Sequence, residues 1–246
     1  MRILLAIPAL LFTAAFAADL PIIPAQAIAK KKEQLITDDF ERTDLGTWKQ
    51  VVPTFTVESG ALKGTQTRIT APAVDGKPAV VGHAAVIGND IPTKDSVIAC
   101  RLRFDGATAL SIEFDDRKFE GSHYGHICRV VVTLKDVTLK DEKDGSMRND
   151  VYEMSKDPSK KAERAKLLEG RSATFPLATP LESGKWYSLV LETVDDAMRA
   201  TIDGKPVAYL KSSGIAHATK SKIEFGCAGH DGFFDDVTIW NAEAAK

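Results

Sequence analysis

The segments Val97-Ile-Ala-Cys-Arg-Leu-Arg-Phe104 and Ala109-Leu-Ser-Ile-Glu-Phe-Asp115 decide the fold of this chain. Apolar and polar residues alternate in both, which predicts strands with one apolar and one polar face. Asp105-Gly106 offers a turn between them, and a third apolar segment, 126–134, follows a polar link. Together they predict an antiparallel meander whose apolar face needs a second layer.

Outward from this stretch, short apolar segments recur with turn signals between them, such as Asp203-Gly204. The pattern gives about eleven to thirteen strands without strand–helix alternation. It predicts an all-β fold, a two-sheet antiparallel jelly-roll sandwich. One short peripheral helix is predicted near 158–169, because Asp157-Pro158 is a helix start signal and Gly170 a stop.

The first residues of the chain indicate export. Residues 1–17 are predicted to be a signal peptide, with a basic Arg2, an apolar run and a small-x-small cleavage site at Ala15-Phe-Ala17. The apolar run is shorter than the roughly 20 residues of a membrane span, so no span is expected. We expect an exported protein, periplasmic or extracellular.

Length and composition fit one β domain. At 246 residues and 44% hydrophobic content, the chain can bury a full core, and no break in composition suggests a second domain. We expect an irregular N-terminal arm over 18–34 and the sandwich over 35–241. A charged insertion that contains the helix is expected inside the sandwich, over 140–180.

The charge balance excludes some partners. Lys and Arg total 32 against 34 Asp and Glu, for a formal net charge of -2. This balance gives no general attraction to nucleic acid or to an anionic membrane. The three cysteines are predicted to be small core residues, since Cys100 and Cys128 would lie about 9.5 Å apart on the first and third strands of the meander. A different strand order would reopen the disulfide alternative.

Several segments occur in a recognisable order. They are Asp39-Phe-Glu-Arg42 with Gly46-Thr-Trp48, Phe55-x-Val57-x-x-Gly60-x-Leu62, Gly184-Lys-Trp186-Tyr, Ile202-Asp-Gly-Lys205 and Phe234-Asp-Asp-Val-Thr-Ile-Trp240. In this order they resemble the concanavalin A-like (laminin G-like, glycoside hydrolase family 16-like) jelly roll. The resemblance covers roughly 38–241.

Two further segments narrow the resemblance. With His83-Ala-Ala and Gly125-His-Ile-Cys-Arg129, the chain is similar to exported planctomycete-type proteins related to the 3-keto-disaccharide hydrolase domain family. The resemblance implies a β-sandwich that binds a carbohydrate or hydrolyses a glycoside of the 3-keto-disaccharide kind. Because the superfamily holds hydrolases, lectins and interaction modules, a non-catalytic lectin-like or cell-envelope protein-interaction module is the alternative.

Glu113 and Asp115 are the candidate catalytic residues, because glycoside cleavage needs two carboxylates at a fixed distance. Family 16 hydrolases place three acids on one strand as Glu-x-Asp-x-Glu. Here Glu113-Phe-Asp115-Asp-Arg117 begins that pattern, but Arg117 occupies the last acidic position, so the usual retaining pair is missing. The row that these residues form is either a ligand cleft or an ordinary solvated sheet face.

The candidate substrate-binding residues are Arg117, His83, Tyr124, His126 and Arg129. The narrower resemblance implies the two histidines and Arg129. His126 shares the parity of core residues, so a buried histidine is the alternative. Arg129 faces the other way, where an ion pair that only fixes the sheet is the alternative. Tyr124, in the loop before His126, is the aromatic expected beside a sugar.

The resemblance also implies a metal site. Jelly rolls of this superfamily often bind a structural Ca²⁺ where the first and last strands meet, and Asp38, Asp39, Asp235 and Asp236 offer oxygen ligands there. Since no loop has calcium-binding spacing, ordinary strand-end acids are the alternative. No other cofactor is expected, and the sequence does not indicate a protein partner.

Overall fold

The structure is a computed structural model that describes residues 20–74 and 77–246. The predicted signal peptide, 1–17, lies outside the described residues. The strands are β1 (Ala29–Asp38), β2 (Lys49–Val52), β3 (Phe55–Glu58), β4 (Ala61–Gly64), β5 (Ala85–Asn89), β6 (Ser96–Asp115), β7 (His126–Val132), β8 (Asp136–Asp141), β9 (Ser172–Pro176), β10 (Trp186–Val194), β11 (Ala197–Ile202), β12 (Lys205–Lys211) and β13 (Lys222–Ala244). The α-helices are α1 (Asn149–Met154) and α2 (Lys161–Leu167).

Two long strands, β6 and β13, run antiparallel to each other and take part in both layers of the sandwich. Sheet I has the order β12-β11-β10-β6-β13-β1 and uses the first half of β6 with the second half of β13. Sheet II has the order β9-β8-β7-β6-β13-β5-β2 and uses the other halves. The hairpin β3–β4 pairs with β13 through β4. The predicted two-sheet antiparallel jelly roll is confirmed.

The predicted turn at Asp105-Gly106 is wrong. β6 passes through this point without reversing, and its pairing with β13 is irregular there. Gly106 and Gly229 have φ angles of 98° and 85°, a backbone region in which glycine is unstrained. A bulge of this kind bends a strand without ending its pairing. The first two members of the expected meander are therefore one strand that crosses between the sheets.

The alternating residues form the core as predicted. Leu102 and Leu189 of sheet I meet Ile112 and Val130 of sheet II. The three cysteines are free and buried, in agreement with the prediction of core residues. Burial raises the pKa of each thiol to about 12, so none is a reactive thiolate at neutral pH.

The N-terminal segment is more ordered than predicted. The expectation of an irregular arm over 18–34 is wrong for its last six residues, because β1 begins at Ala29. β1 pairs antiparallel with the end of β13, with Ala29 opposite Ala244. This strand could not be recognised in the lysine-rich sequence, because the side chains of β1 are mostly exposed and show no apolar alternation.

A buried ion pair, which we call the sheet I pair, holds this segment on sheet I. It consists of Glu192 on β10 and Arg199 on β11, with 2.5 Å between its nitrogen and oxygen. Glu192 Oε1 accepts hydrogen bonds from the main chain of Ile28 and Ala29, at 3.0 and 3.1 Å. Arg199 Nε donates to the Pro24 carbonyl at 2.9 Å. Main-chain N–H and C=O groups of the N-terminal segment thus provide hydrogen-bond partners for both charged side chains of the sheet I pair.

The insertion between β8 and β9 carries the helices. The predicted helix near 158–169 is confirmed as a 3-10 turn over Pro158–Lys160 followed by α2. The Asp157 side chain accepts from the Ser159 N–H at 2.9 Å, as its position as a start signal predicts. α1 precedes it and was not predicted. Among the described residues, no helix is long and apolar enough to cross a membrane.

Candidate functional site

Side chains that face away from the core on sheet II form a cluster of charges. Glu113 on β6 lies opposite Arg129 on β7 and Glu224 on β13. Asp115 lies opposite His126 across a shift in register. Cross-strand partners of this kind have neighbouring side chains on one face of a sheet. With Arg117 and Glu142, these residues make up what we call the sheet II cluster.

The register shift explains why the His126 side chain does not face the core, although the alternation of residues along β7 predicts that it does. The shift lies between Phe114 and Asp115, and both Ile127 and Cys128 belong to the core. His126 therefore turns to the outward face instead of sharing the core face with Cys128. Its side chain is 17% exposed and hydrogen-bonded to Asp115, so His126 is a largely buried histidine on the outward face of sheet II.

His126 bridges the two predicted catalytic acids. Its Nδ1 lies 2.7 Å from Glu113 Oε1 and 2.8 Å from Asp115 Oδ1, and only the contact with Asp115 has hydrogen-bond geometry. As a result Glu113 Oε1 is a buried oxygen without a hydrogen-bond partner, and Asp115 Oδ2 is another. Charged neighbours approach both oxygens without meeting the directional criteria for a bond.

Those neighbours are the two arginines. Arg129 Nη2 lies 3.1 Å from Glu113 and 3.0 Å from Glu142. Arg117 Nη2 lies 2.9 Å from Asp115 and also forms an ion pair with Glu224. Each guanidinium therefore bridges two carboxylates. This explains the arginine at the last position of the Glu-x-Asp-x-Arg motif: it is the counter-ion of the acids.

Burial divides the cluster into a floor and a rim. The Glu113 and Asp115 side chains are 8% and 0% exposed, whereas Arg117 and Arg129 are 34% and 21% exposed. An ordinary solvated sheet face would leave the acids open, so that alternative is wrong. The insertion contributes to the cover, because Glu142 pairs with Arg129 and is itself buried. The cations are the part of the cluster that solvent reaches.

The pKa values of the two acids diverge. Burial acts to raise the pKa of Glu113, but the charges of Arg129 and His126 prevail and hold it at about 2. Burial raises the pKa of Asp115 to about 7, helped by the negative charge of Glu113. Burial acts to lower the pKa of His126, but its hydrogen bond to Asp115 and the nearby negative charge of Glu113 raise it to about 10. At neutral pH the cluster thus holds an ionised Glu113 and a cationic imidazole beside an Asp115 that binds a proton more readily than an ordinary aspartate.

Tyr124 lies at the rim in a strained loop. Its side chain is 73% exposed and its φ is 51°, the left-handed region that a tyrosine rarely adopts. Its carbonyl accepts from Arg117 Nη1 at 3.0 Å, which connects the loop to the cluster. The next residue, Gly125, has φ 76°, and a Cβ there would lie 2.1 Å from the Asp116 carbonyl oxygen. Only glycine fits at that position.

Two more aromatic rings support this loop. The His123 ring lies 4.4 Å from that of Tyr124, edge to face, and stacks on Tyr152 of α1 at 3.8 Å. The His123 N–H donates to the Met147 carbonyl at 2.7 Å. The insertion therefore fixes the loop that presents Tyr124. The exposed ring of Tyr124 is the flat apolar surface that this rim offers.

His83 is not part of the cluster. It lies in an exposed ribbon where its main chain pairs with Arg68, and its ring Nδ1 is 2.8 Å from the Ala84 carbonyl. Of the predicted site residues, the structure thus brings together Glu113, Asp115, Arg117, His126 and Arg129, with Tyr124 beside them. It places His83 elsewhere.

The acids proposed for calcium do not form a ligand set. Asp38 accepts from Arg42 at 2.5 and 2.8 Å and from Trp48 Nε1 at 2.9 Å, so its oxygens are already used. Asp235 and Asp236 both pair with Arg101, at 3.4 and 3.2 Å. Asp39 is an exposed acid that accepts from the Glu41 N–H at 3.1 Å. These contacts already engage Asp38, Asp235 and Asp236, and the calcium site stays a prediction.

A different group has the spacing of metal ligands. Within 20–74 and 77–246, three acidic or histidine side chains whose ligand atoms lie within 4.8 Å of one another are Glu113, Asp115 and His126. The two arginines already supply positive charge to these oxygens, and the Nδ1 of His126 lies at hydrogen-bond distance from both acids. The donor set therefore fits an ion-pair network and not a metal.

Two residues of the cluster were missed by sequence analysis. Glu224 alternates with core residues Ile223 and Phe225, so parity predicts an outward side chain. Its place beside Glu113 depends on the pairing of β13 with β6, which the sequence does not reveal. Glu142 lies in a charged segment that folds as one irregular turn, and no sequence signal distinguishes it from its charged neighbours.

Two cavities lie away from the cluster. One, of about 440 Å³, is lined by Asp38, Arg42 and neighbouring residues. The other, of about 470 Å³, lies between the loop after β9 and the turn between β11 and β12. Neither includes a residue of the sheet II cluster. The candidate site is therefore a sheet face with a rim and is distinct from both cavities.

No family model matches the sequence, and no curated protein matches it. Solved structures do resemble the fold. A sialidase has a TM-score of 0.54 at 15% identity, over 90% of this chain and 19% of that one, so the chain spans about a fifth of its length. Porphyranase B from Zobellia galactanivorans has a TM-score of 0.52 at 10% identity, over 84% of this chain and 90% of that chain.

A third similar structure is the Crh5 transglycosylase, with a TM-score of 0.54 at 14% identity, over 89% of this chain and 91% of that one. At these identities the comparisons show the fold alone. Together with the strand order they define the class: an antiparallel β-sandwich with the concanavalin A-like jelly-roll fold. The narrower link to planctomycete-type proteins stays a prediction.

Proposed function

We propose that this chain is an exported carbohydrate-binding β-sandwich that holds a saccharide against the outward face of sheet II. The observation that carries the proposal is the rim: an exposed Tyr124, fixed at positive φ, beside two arginines that reach solvent above buried acids. Strained residues that the surrounding structure holds in place are concentrated at binding sites. The shared fold with a porphyranase and a transglycosylase supports the same class.

The chemistry of the rim suits a sugar. The flat face of a tyrosine packs against the C–H face of a pyranose, while its O–H stays hydrated. Guanidinium groups donate hydrogen bonds in a fixed geometry to hydroxyl or anionic oxygens. The buried acids act on the ligand indirectly, because Glu113 and Asp115 hold the arginines in place. An arginine with a fixed position loses less entropy when it binds a ligand.

Burial of the acids favours binding over hydrolysis. A general acid must come within about 2.6–3.2 Å of the glycosidic oxygen. The Asp115 side chain is fully buried and Glu113 nearly so, and their neighbours are the cations of the cluster. Arg117 occupies the position at which the family 16 motif has its last acid. The acids therefore serve as counter-ions in this proposal.

One observation favours hydrolysis as the second candidate function. The pKa of Asp115 is raised to about 7 while that of Glu113 is held at about 2, and such a divergence separates a proton donor from an ionised partner. Both carboxylates contact the same nitrogen of His126, which leaves no room between them for the water that an inverting pair, roughly 6.5–9.5 Å apart, requires. The resemblance suggests a 3-keto-disaccharide-like glycoside as the substrate.

The test is a binding and turnover screen. The chain is titrated with a panel of glycosides, including 3-keto-disaccharides, by calorimetry and thermal shift. A ligand of the folded state raises the melting temperature. We expect binding without turnover, and at least fivefold weaker binding in Tyr124→Ala. Tyr209→Ala, which removes a tyrosine from β12 outside the cluster, is the matched control and should bind as the wild type does.

The outcomes separate the candidates. Turnover that disappears in Asp115→Asn would establish the hydrolase and overturn the binding-only proposal. Equal loss of affinity in Tyr124→Ala and Tyr209→Ala would move the site away from this rim. If no saccharide in the panel binds, the carbohydrate proposal fails and a protein-interaction module becomes the better explanation.

A further inference from the structure

The arginines of the sheet II cluster keep donors that no residue uses. Arg129 contacts its acids through Nε and Nη2. No residue in the described ranges accepts a hydrogen bond from its Nη1, and Nη1 is not among the buried atoms that lack a partner. It therefore opens to solvent. The side-chain contacts of Arg117 use only Nη1 and Nη2, and its side chain is 34% exposed, which leaves Nε free for a ligand.

The charges are layered by depth. The carboxylates form the buried floor, and a further cation, Lys222, lies 3.4 Å from Glu224 at the same face. Lys140 is the cross-strand neighbour of Arg129, half-buried on β8. A ligand on this face would therefore meet ammonium and guanidinium groups before it meets a carboxylate. Charges that lie nearer to the ligand have the larger effect, since the interaction falls with distance.

We infer that the saccharide bound on this face is anionic, with a carboxylate or sulfate group seated on the free guanidinium nitrogens of Arg129 and Arg117. This inference rests on the proposed carbohydrate-binding function and specifies its ligand. Nη2 of both arginines already contacts carboxylates, so each side chain offers one free nitrogen, whose charge-assisted N–H can donate to an oxygen of a carboxylate or sulfate. Tyr124, whose carbonyl accepts a hydrogen bond from Arg117 Nη1, belongs to the loop beside this anion position.

The affinity comparison uses three oligosaccharides of equal length: a neutral glucan, a uronate and a sulfated galactan. Dissociation constants for the full chain are measured by calorimetry at about 50 and about 200 mM NaCl. We expect at least one anionic ligand to bind ten times more tightly than the neutral one, and its affinity to fall severalfold at the higher salt. Comparing the uronate with the sulfated galactan shows whether the site prefers a carboxylate or a sulfate group.

The variant Arg129→Lys tests whether Arg129 binds the anionic group. Lysine keeps the positive charge that Glu113 and Glu142 require, so the fold should persist, while the free guanidinium nitrogen is lost. We expect the preference for the anionic ligand to fall at least fivefold, because affinity for the anionic ligand falls more than affinity for the neutral one. Lys205→Gln, at the start of β12 in sheet I, removes a positive charge outside the sheet II cluster and should leave the preference unchanged.

Neutral and anionic ligands that bind equally would overturn the inference and leave the proposed function in place. If none of the three binds, both fail. A preference that survives in Arg129→Lys but disappears in Lys205→Gln would show a general surface effect and would also overturn the inference.

Discussion

The sheet I pair and the sheet II cluster both bury charge on the outward face of a sheet, but they differ in what remains unused. In the sheet I pair, Glu192 accepts from two main-chain N–H groups, and Arg199 donates to two main-chain carbonyls. In the sheet II cluster, Glu113 and Asp115 each keep an unpartnered oxygen, and the arginines keep open donors. Buried charge alone therefore does not indicate a binding site; unused hydrogen-bonding capacity beside an exposed aromatic does.

The largest effect is expected from breaking the sheet I pair. Arg199→Met leaves Glu192 buried without its counter-ion, which costs about 3–5 kcal/mol of the free energy of unfolding. Urea unfolding monitored by fluorescence measures this loss. Saccharide affinity of the folded protein should not change, because the pair lies on the other sheet.

Lys211→Met is the matched control, since Lys211 is exposed and lies 3.6 Å from Asp196. Its effect should stay within about 0.5 kcal/mol, as for most surface substitutions. If Arg199→Met cost no more than this control, the sheet I pair would be no more structural than a surface contact, and the contrast between the two regions would fail.

The next effect is expected at the loop of the sheet II cluster. In Gly125→Ala the new Cβ meets the Asp116 carbonyl at 2.1 Å in addition to the strain of φ 76°. We expect a loss of about 2–3 kcal/mol in the free energy of unfolding, with weaker saccharide binding because Tyr124 moves. Gly184→Ala separates the two causes: its φ is 81° and a Cβ there has open space. Equal losses in both variants would show that the contact with Asp116 is unimportant.

The sheet II cluster should also make stability depend on pH. The folded pKa of His126 is raised to about 10 from its ordinary value of 6.5. Its contribution is therefore complete below about pH 6.5 and is lost as the pH rises towards 10. His126→Gln should be less stable than the wild type by about 1–2 kcal/mol at pH 6, and the difference should shrink towards pH 10. Urea unfolding across this range measures it, and parallel profiles would contradict the ion-pair network.

Much of the fold could be predicted from alternation, because the core of a sandwich requires it. Cys100, Leu102 and Phe104 face the core as their parity predicts. The crossing of β6 between sheets could not be predicted, since Asp105-Gly106 fits a tight turn and a bulge equally well. The choice depends on β13, more than 100 residues later in the chain, which pairs on both sides of this point.

The same dependence limited prediction of the site. Glu113, Asp115 and Arg117 lie close together in the sequence, so their proximity follows from one strand and the loop after it. Glu224 joins them only through register, and His126 only through the shift next to Asp115. A single-residue shift moves a side chain to the opposite face. No local pattern encodes such a shift, whereas the position of Tyr124 in the loop before β7 follows from the loop sequence itself.

The smallest effect gives the sharpest contrast, because its two readouts move in opposite directions. Tyr124→Gly relieves the strain of φ 51° and should stabilise the fold by about 0.5–1 kcal/mol. The same change removes the exposed ring, so saccharide affinity should fall at least fivefold. Ser59→Gly is the matched control, since Ser59 has φ 53° in the exposed turn between β3 and β4. It should stabilise to a similar extent and leave affinity unchanged. If Tyr124→Gly stabilised the fold without weakening binding, the strain at Tyr124 would have no role in the ligand site, and the rim of sheet II would be as structural as the sheet I pair.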